Sequence, residues 1–171
     1  MIIREMQFDD ISPVAELERA FSLTPWDENG LLSYMLRDDT LFLVASDEFP
    51  EKYDPEAIDE ENFFWPEIYG YVGLLMVPYE ADVLNITVNE KVRNMGIGTG
   101  LLTEIFERAK KYGVTDIHLE VRESNDSAIH LYEKLGFARD GIRKNYYTEP
   151  VENAVMMTLR QELTCGSEME N

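Results

Sequence analysis

Apolar positions along this chain change period several times, and each change marks a new element. Ile2 to Met6 is an apolar run of strand length. Asp9 and Asp10 follow in N-cap position, ahead of a helical stripe made by Val14, Leu17, Ala20 and Phe21. Pro25-Trp26 interrupts, and a second helix is predicted from about Glu28 to Leu36. Thr40 to Ala45 reads as a strand through Leu41, Phe42, Leu43 and Val44. Two more strands are predicted at Ile68 to Val77 and Val83 to Val88, with Pro78-Tyr79-Glu80 turning between them. Leu101, Leu102, Ile105, Phe106 and Ala109 recur at helical spacing until Tyr112-Gly113 stops them. Val114 to Val121 alternates as a strand, and Ser124 or Asn125 then caps a helix holding Ala128, Ile129, Tyr132 and Leu135, closed by Gly136. Phe137 to Tyr147 and Ala154 to Leu159 complete the set as strands. The order β-α-α-β-β-β-α-β-α-β-β predicts an α+β (α/β mixed) fold, a mixed sheet with helices packed on its faces.

The junction between the strand ending at Val88 and the next helix carries the most chemistry. Arg93, Gly96 and Gly98 lie in a polar loop that feeds the helix directly. Such a loop aims several backbone N–H groups at one point, and the helix dipole adds positive charge there, which suits a phosphate or pyrophosphate. Gly96 and Gly98 remove side chains where a ligand approaches the backbone, and glycine also permits positive φ. Two familiar phosphate loops do not fit. Gly96, Gly98 and Gly100 fall at G-x-G-x-G rather than G-x-G-x-x-G, and no lysine follows them as the nucleotide P-loop requires.

Arg93-x-x-Gly96-x-Gly98 after a strand resembles instead the coenzyme A pyrophosphate loop of the GNAT N-acetyltransferases. A second constellation strengthens the resemblance: a strand, then Asn125-x-x-Ala128-x-x-Leu131-Tyr132, then Leu135-Gly136-Phe137. The likeness runs from Ile2 to about Leu159. Pro25-Trp26, Leu84-Asn85-Ile86-Thr87-Val88, Leu119-Glu120-Val121-Arg122-x-Ser124-Asn125 and Arg143-Lys144-Asn145-Tyr146-Tyr147 are similar to the ribosomal-protein alanine N-acetyltransferase (RimI-like) branch.

This resemblance implies the GNAT acyl-CoA N-acyltransferase fold, with the central sheet splayed where the strand ending at Val88 parts from the one ending near Val121. It also implies acetyl-CoA as co-substrate in that cleft. Ile86, Thr87 and Val88 would line the thioester end, and Arg93, Asn94, Met95, Gly96, Ile97, Gly98 and Thr99 the pyrophosphate end. Asn125 would bond the pantetheine arm, Glu120 would be the general base and Tyr132 the general acid beside the sulfur. Pro25, Trp26, Glu120, Tyr146 and Tyr147 would meet the acceptor, a protein N-terminal α-amine and specifically ribosomal-protein N-terminal alanine.

Those roles are chemically coherent. An α-amine is largely protonated at neutral pH and must lose a proton before attacking a thioester. A carboxylate at a strand end can take it. Backbone N–H groups near Ile86 to Val88 would polarise the thioester carbonyl. A phenol can protonate the leaving thiolate, so direct transfer in a ternary complex needs no covalent enzyme intermediate. Residue types also have plainer uses: Tyr132 sits at core spacing, Asn125 in a cap position, and His118 on the same strand face as Glu120, where it is either a structural histidine or a proton relay.

Charge and cysteine usage bound the rest. Thirty-four acidic residues against 15 basic ones give a net charge of -19, which disfavours nucleic acid and favours a cationic acceptor, whether a basic protein tail or a small amine. The acidic, aromatic-bearing segment Ser46–Glu67 is longer than a strand connection requires and reads as a hairpin extension or a docking surface for a basic substrate. Cys165 is the single cysteine, and His118 and His130 are scattered, so neither a disulfide framework nor a metal site is expected. With no signal-peptide layout or long apolar run, a cytoplasmic protein without membrane contact is expected. The expected organisation is one domain over residues 1–160 and a polar tail over 161–171. Asn153 stands where the RimI-like branch commonly has an aspartate. Two other functions share these features: acetylation of a polyamine, aminoglycoside or amino acid, and non-catalytic sensing of acyl-CoA.

Overall fold

Strand pairing begins at the N-terminus of this computed structural model, which describes residues 1–48 and 65–162. In chain order the elements are β1 (Ile2–Glu5), α1 (Ile11–Phe21), α2 (Glu28–Met35), β2 (Thr40–Ser46), β3 (Ile68–Val77), β4 (Glu80–Val88), α3 (Ile97–Lys111), β5 (Asp116–Arg122), α4 (Asp126–Lys134), β6 (Ala138–Thr148) and β7 (Val151–Arg160). The described strands form one sheet of order β1-β2-β3-β4-β5-β7-β6, antiparallel except for β4 and β5. One face packs on α3 and α4 through Leu101, Leu102, Ile105 and Ile129, the other on α1 and α2 through Val14, Leu17 and Leu31. Both helical layers follow from apolar stripes at 3.6-residue spacing. Among the described residues, no helix is long and apolar enough to cross a membrane.

The expected elements are present, with β7 starting at Val151 rather than Ala154 and three other local differences of note. β4 starts at Glu80 rather than Val83, because Pro78-Tyr79 alone makes the turn and Tyr79 takes a φ of 71°. Asp10 occupies the N-cap position of α1 without capping it through its side chain. That carboxylate is buried instead, accepting a bidentate pair from Arg4 at 2.7 and 2.9 Å and the indole N–H of Trp65 at 3.0 Å. The third is at the glycine loop: Gly96 has a left-handed φ of 83°, but the other left-handed position is Asn94, at 63°, and not Gly98.

Gly113 and Gly136 end α3 and α4 in matching Schellman closures. In each, the glycine and the residue after it donate back into the last turn, Gly113 to Lys110 and Val114 to Ala109, Gly136 to Glu133 and Phe137 to Tyr132. The Ser46–Glu67 extension is described only at its base, where Asp47 N–H donates to the Glu67 carbonyl at 3.2 Å. Residues 49–64, Cys165 and most of the polar tail lie outside the described residues.

Candidate active site

β4 and β5 pair over three residues only, Glu80 with Asp116, Ala81 with Ile117 and Asp82 with His118. Beyond Asp82 and His118 the two strands part, leaving an open seam that ends at Val88 on one lip and Arg122 on the other. On β4, Asn89 N–H donates to the Tyr69 carbonyl, and the antiparallel ladder with β3 alternates from there. The N–H groups of Ile86 and Val88 therefore point away from β3 and into the seam. Ile86 N–H is already engaged by Asn85 Oδ1 at 2.9 Å, which leaves Val88 N–H as the better-placed donor to a thioester carbonyl. Thr87 turns its side chain the other way, donating its hydroxyl to the buried Glu18, and its own N–H and carbonyl face β3 in the ladder.

At the mouth of the seam, Gly100 N–H is the first in α3 to reach a carbonyl behind it, that of Gly96, at 2.9 Å. The N–H groups of Ile97, Gly98 and Thr99 thus have no intrahelical acceptor and form the positive end of the helix. A Cβ at Gly96 would meet nothing within 4 Å, so the space in front of this turn is open. Arg93 flanks it, exposed and paired with Glu90 at 3.0 Å. Exposed Met95 and left-handed Asn94 complete the loop.

The alternation of β5 separates the two kinds of side chain. Ile117, Leu119 and Val121 belong to the α3–α4 core, so His118, Glu120 and Arg122 project from the opposite face, the side of α1 and α2. Glu120 accepts from Arg143 at 2.9 Å through Oε1, and its backbone carbonyl accepts from the Tyr147 hydroxyl at 3.3 Å. Tyr146 and Tyr147 meet edge to face at 5.1 Å, with the Arg143 guanidinium over Tyr146 and that of Arg122 over Tyr147. Burial pushes Tyr147 up to about 12, against the opposing pull of Arg122. His118 shares a hydrogen bond with Thr158, whose hydroxyl also donates to Asp140, so the ring has structural partners.

Tyr132 lies on the α3–α4 face, buried against Phe137 at a ring distance of 5.6 Å. Its burial, and then the neighbouring Tyr147 phenol, hold its own phenol far above the ordinary value. It therefore keeps its proton through the physiological range, as a general acid requires. Asn125 caps α4, its Oδ1 accepting Ala128 N–H at 3.1 Å, and leaves its amide nitrogen for another acceptor. Pro25-Trp26 sits on the α1–α2 face, with the indole stacked on Tyr34 at 4.7 Å.

Two hydrogen-bond networks at the site form no part of the sequence reading. Arg122 clamps the β6–β7 turn, donating to Glu152 at 3.2 Å and to the carbonyls of Pro150 and Glu149. Glu152 also accepts Ser124 N–H at 2.6 Å, and that bond, supported by Arg122, holds its carboxyl below the usual range. Asn153 accepts Asn145 N–H and donates to Glu123 at 3.0 Å, a pair of bonds that an ionised aspartate in its place could not make. The other is the set around Glu18. An acid at i+4 from Val14 and i−3 from Phe21, on the apolar stripe, is the signal that marks it.

A sheet opened along a single parallel seam, with a helix N-terminus at its mouth, defines the acyl-coenzyme A N-acyltransferase class. Sequence comparison agrees. The chain belongs to the acetyltransferase (GNAT) family, whose model matches residues 15–137, and is an acetyl-CoA-dependent N-acetyltransferase. It is 34% identical to the ribosomal protein bS18-alanine N-acetyltransferase of Haemophilus influenzae, over 91% of this chain and 96% of that one. It is 29% identical to an N-alpha-acetyltransferase of Sulfurisphaera tokodaii, over 91% and 90%. Among solved structures, the ribosomal-protein-S18-alanine N-acetyltransferase from Escherichia coli superposes with a TM-score of 0.77 at 26% identity, covering 99% of both chains.

Proposed function

We propose that this enzyme acetylates the N-terminal α-amine of a protein, with ribosomal-protein N-terminal alanine as acceptor. One observation carries the reading: Glu120 projects to the α1–α2 side of the sheet, where Arg143 links it to Tyr146, while α3, α4 and Tyr132 lie on the other. Acetyl-CoA then enters from the α3–α4 side, its pyrophosphate at the N–H groups of Ile97, Gly98 and Thr99 and its pantetheine beside the Asn125 amide. The peptide arrives from the opposite face, and the two meet only through the seam. The 34% identity to a bS18-alanine N-acetyltransferase over 91% of this chain supports alanine as the first residue.

In the reaction, Glu120 takes a proton from the α-ammonium at Oε2, since Arg143 occupies Oε1. The amine nitrogen attacks the thioester carbon, and Val88 N–H receives the oxyanion. As the C–S bond breaks the nitrogen gives up its second proton to solvent, and Tyr132 gives its proton to the departing thiolate and is reprotonated from solvent. The transfers at Glu120 and Tyr132 run between groups held ready by the fold. The test is mass spectrometry after incubation with acetyl-CoA and peptides beginning Ala, Ser or Met, an acetyl-blocked Ala peptide with an internal lysine, and spermidine. One acetyl on the free terminus of the Ala peptide is expected. Acetylated spermidine with untouched peptides overturns the reading.

A further inference from the structure

Glu18 is wholly buried inside the α1–α2 face, yet its carboxylate collects three donors from two separate elements. Oε2 accepts the backbone N–H of Trp26 and the amide of Asn85, each at 3.0 Å. Oε1 accepts the Thr87 hydroxyl. The fully buried Tyr71 hydroxyl lies beside Glu18 and Asn85 without completing a hydrogen bond. Trp26 belongs to the α1–α2 loop, and Asn85 and Thr87 belong to the free half of β4, so this one carboxylate ties the loop to the seam. Asn85 passes the constraint on. With its nitrogen committed to Glu18, its oxygen is fixed on Ile86 N–H at 2.9 Å. A carboxylate on one side and an N–H on the other permit no other amide orientation.

We infer that Glu18 is a positioning residue for the acceptor: it locks the Pro25-Trp26 loop onto β4 and, through Asn85, keeps the seam-facing Ile86 N–H engaged. This rests on the proposed reading of that face as the acceptor side. Glu18 touches neither substrate. Its effect is expressed in how well the loop is formed when the acceptor arrives, because Glu18 is the acceptor that holds the Trp26 amide in place and a donor that loses its partner is costly.

Glu18→Ala and Glu18→Gln test it by steady-state kinetics, acetyl-CoA titration and amide hydrogen exchange. Glutamine can keep its oxygen toward Trp26 and Asn85, while the Thr87 hydroxyl turns to accept from the new amide. Glu18→Ala is expected to raise the acceptor KM about tenfold or more, the scale of one lost hydrogen bond to a charged group, with acetyl-CoA affinity within twofold. Glu18→Gln is expected to return KM to near wild type. Trp26 N–H is expected to be protected from exchange in the wild-type protein and in Glu18→Gln, and exposed in Glu18→Ala. A purely structural role lowers Tm and the active fraction, so kcat falls with KM unchanged, and that result overturns the proposal. If Glu18→Ala does not fold, a Trp26 amide that exchanges freely in the wild type, or a large rise in KM in Glu18→Gln, overturns it equally. A wild-type enzyme that acetylates no amine acceptor sinks the reading of the face. A working enzyme with an unmoved KM in the folded Glu18→Ala variant sinks only the role of Glu18.

Discussion

Gly70→Ala adds one methyl group where β3 touches the seam from behind. Its Cβ would lie 2.9 Å from the Thr87 carbonyl oxygen, 3.1 Å from Val88 Cγ2 and 3.3 Å from Leu101 Cδ1. The two side-chain atoms can rotate away, but the carbonyl is backbone, paired across the ladder from Tyr71. Restoring an ordinary 3.4 Å contact moves β4 by 3.4 − 2.9 = 0.5 Å. Overpacking of this kind costs about 1–3 kcal/mol, and a loss of about 2 kcal/mol lowers Tm by about 4–8 °C in a domain of this size. The same displacement carries Val88 N–H out of line. A 1 Å error in a site costs about a hundredfold in rate, so half that displacement, at the donor to the oxyanion, is expected to lower kcat about tenfold. Gly113→Ala is the control, because its φ of 85° is strained by any Cβ but nothing lies within 4 Å of that atom. It is expected to cost about 1–2 kcal/mol with kcat unchanged. Thermal denaturation and steady-state kinetics of both variants decide the matter. Equal loss of Tm with wild-type kcat in Gly70→Ala would refute the claim that β4 geometry places the oxyanion donor.

Tyr132→Phe is expected to lower kcat about 10²- to 10⁴-fold with acetyl-CoA binding retained. Because its raised pKa keeps the folded phenol neutral, the unfolded chain loses that proton first as pH rises above about 10. Stability therefore falls above that pH, and denaturation curves should show a shallower fall in Tyr132→Phe. The lowered pKa of Glu152 has the opposite sign: its contribution is present above the ordinary carboxylate value and fades as pH drops through its folded value. Glu152→Gln should thus melt below wild type at pH 7 and alongside it in strong acid, as thermal scans at both pH values will show. Gly96→Val puts a β-branched residue at a φ of 83° facing the open mouth of the seam. Acetyl-CoA titration should show weaker binding, and an unchanged Kd would remove the pyrophosphate assignment.

The candidate coenzyme half of the site could be proposed from the sequence because its signals are local. A glycine-bearing loop between a strand and an apolar-periodic helix, or an asparagine three residues ahead of an alanine in a helix, is complete within a dozen positions. The seam followed from the family resemblance, and the three-residue β4–β5 pairing gives it a physical form. The acceptor half was less legible, since its contacts join distant segments. Arg143 reaches Glu120 across 23 positions and Thr87 reaches Glu18 across 69. Glu18 reads as one more acid in an acidic chain until its place on the stripe with Val14 and Leu17 is weighed. The early start of β4 was missed because Glu80 and Asp82 look like turn residues, whereas their pairing with β5 makes them strand. Thr87, expected at the coenzyme, turned out to face α1, because strand alternation sends neighbouring side chains to opposite faces.

The most direct single measurement is transfer of acetyl to an alanine-initiated peptide by Glu120→Gln, set beside its acetyl-CoA binding. Glutamine keeps the size and can still accept from Arg143, but cannot take a proton from the amine. Turnover is expected to fall about a hundredfold or more with acetyl-CoA affinity intact. A variant that binds acetyl-CoA and acetylates the α-amine at the wild-type rate would contradict the assignment of base, acceptor face and seam together.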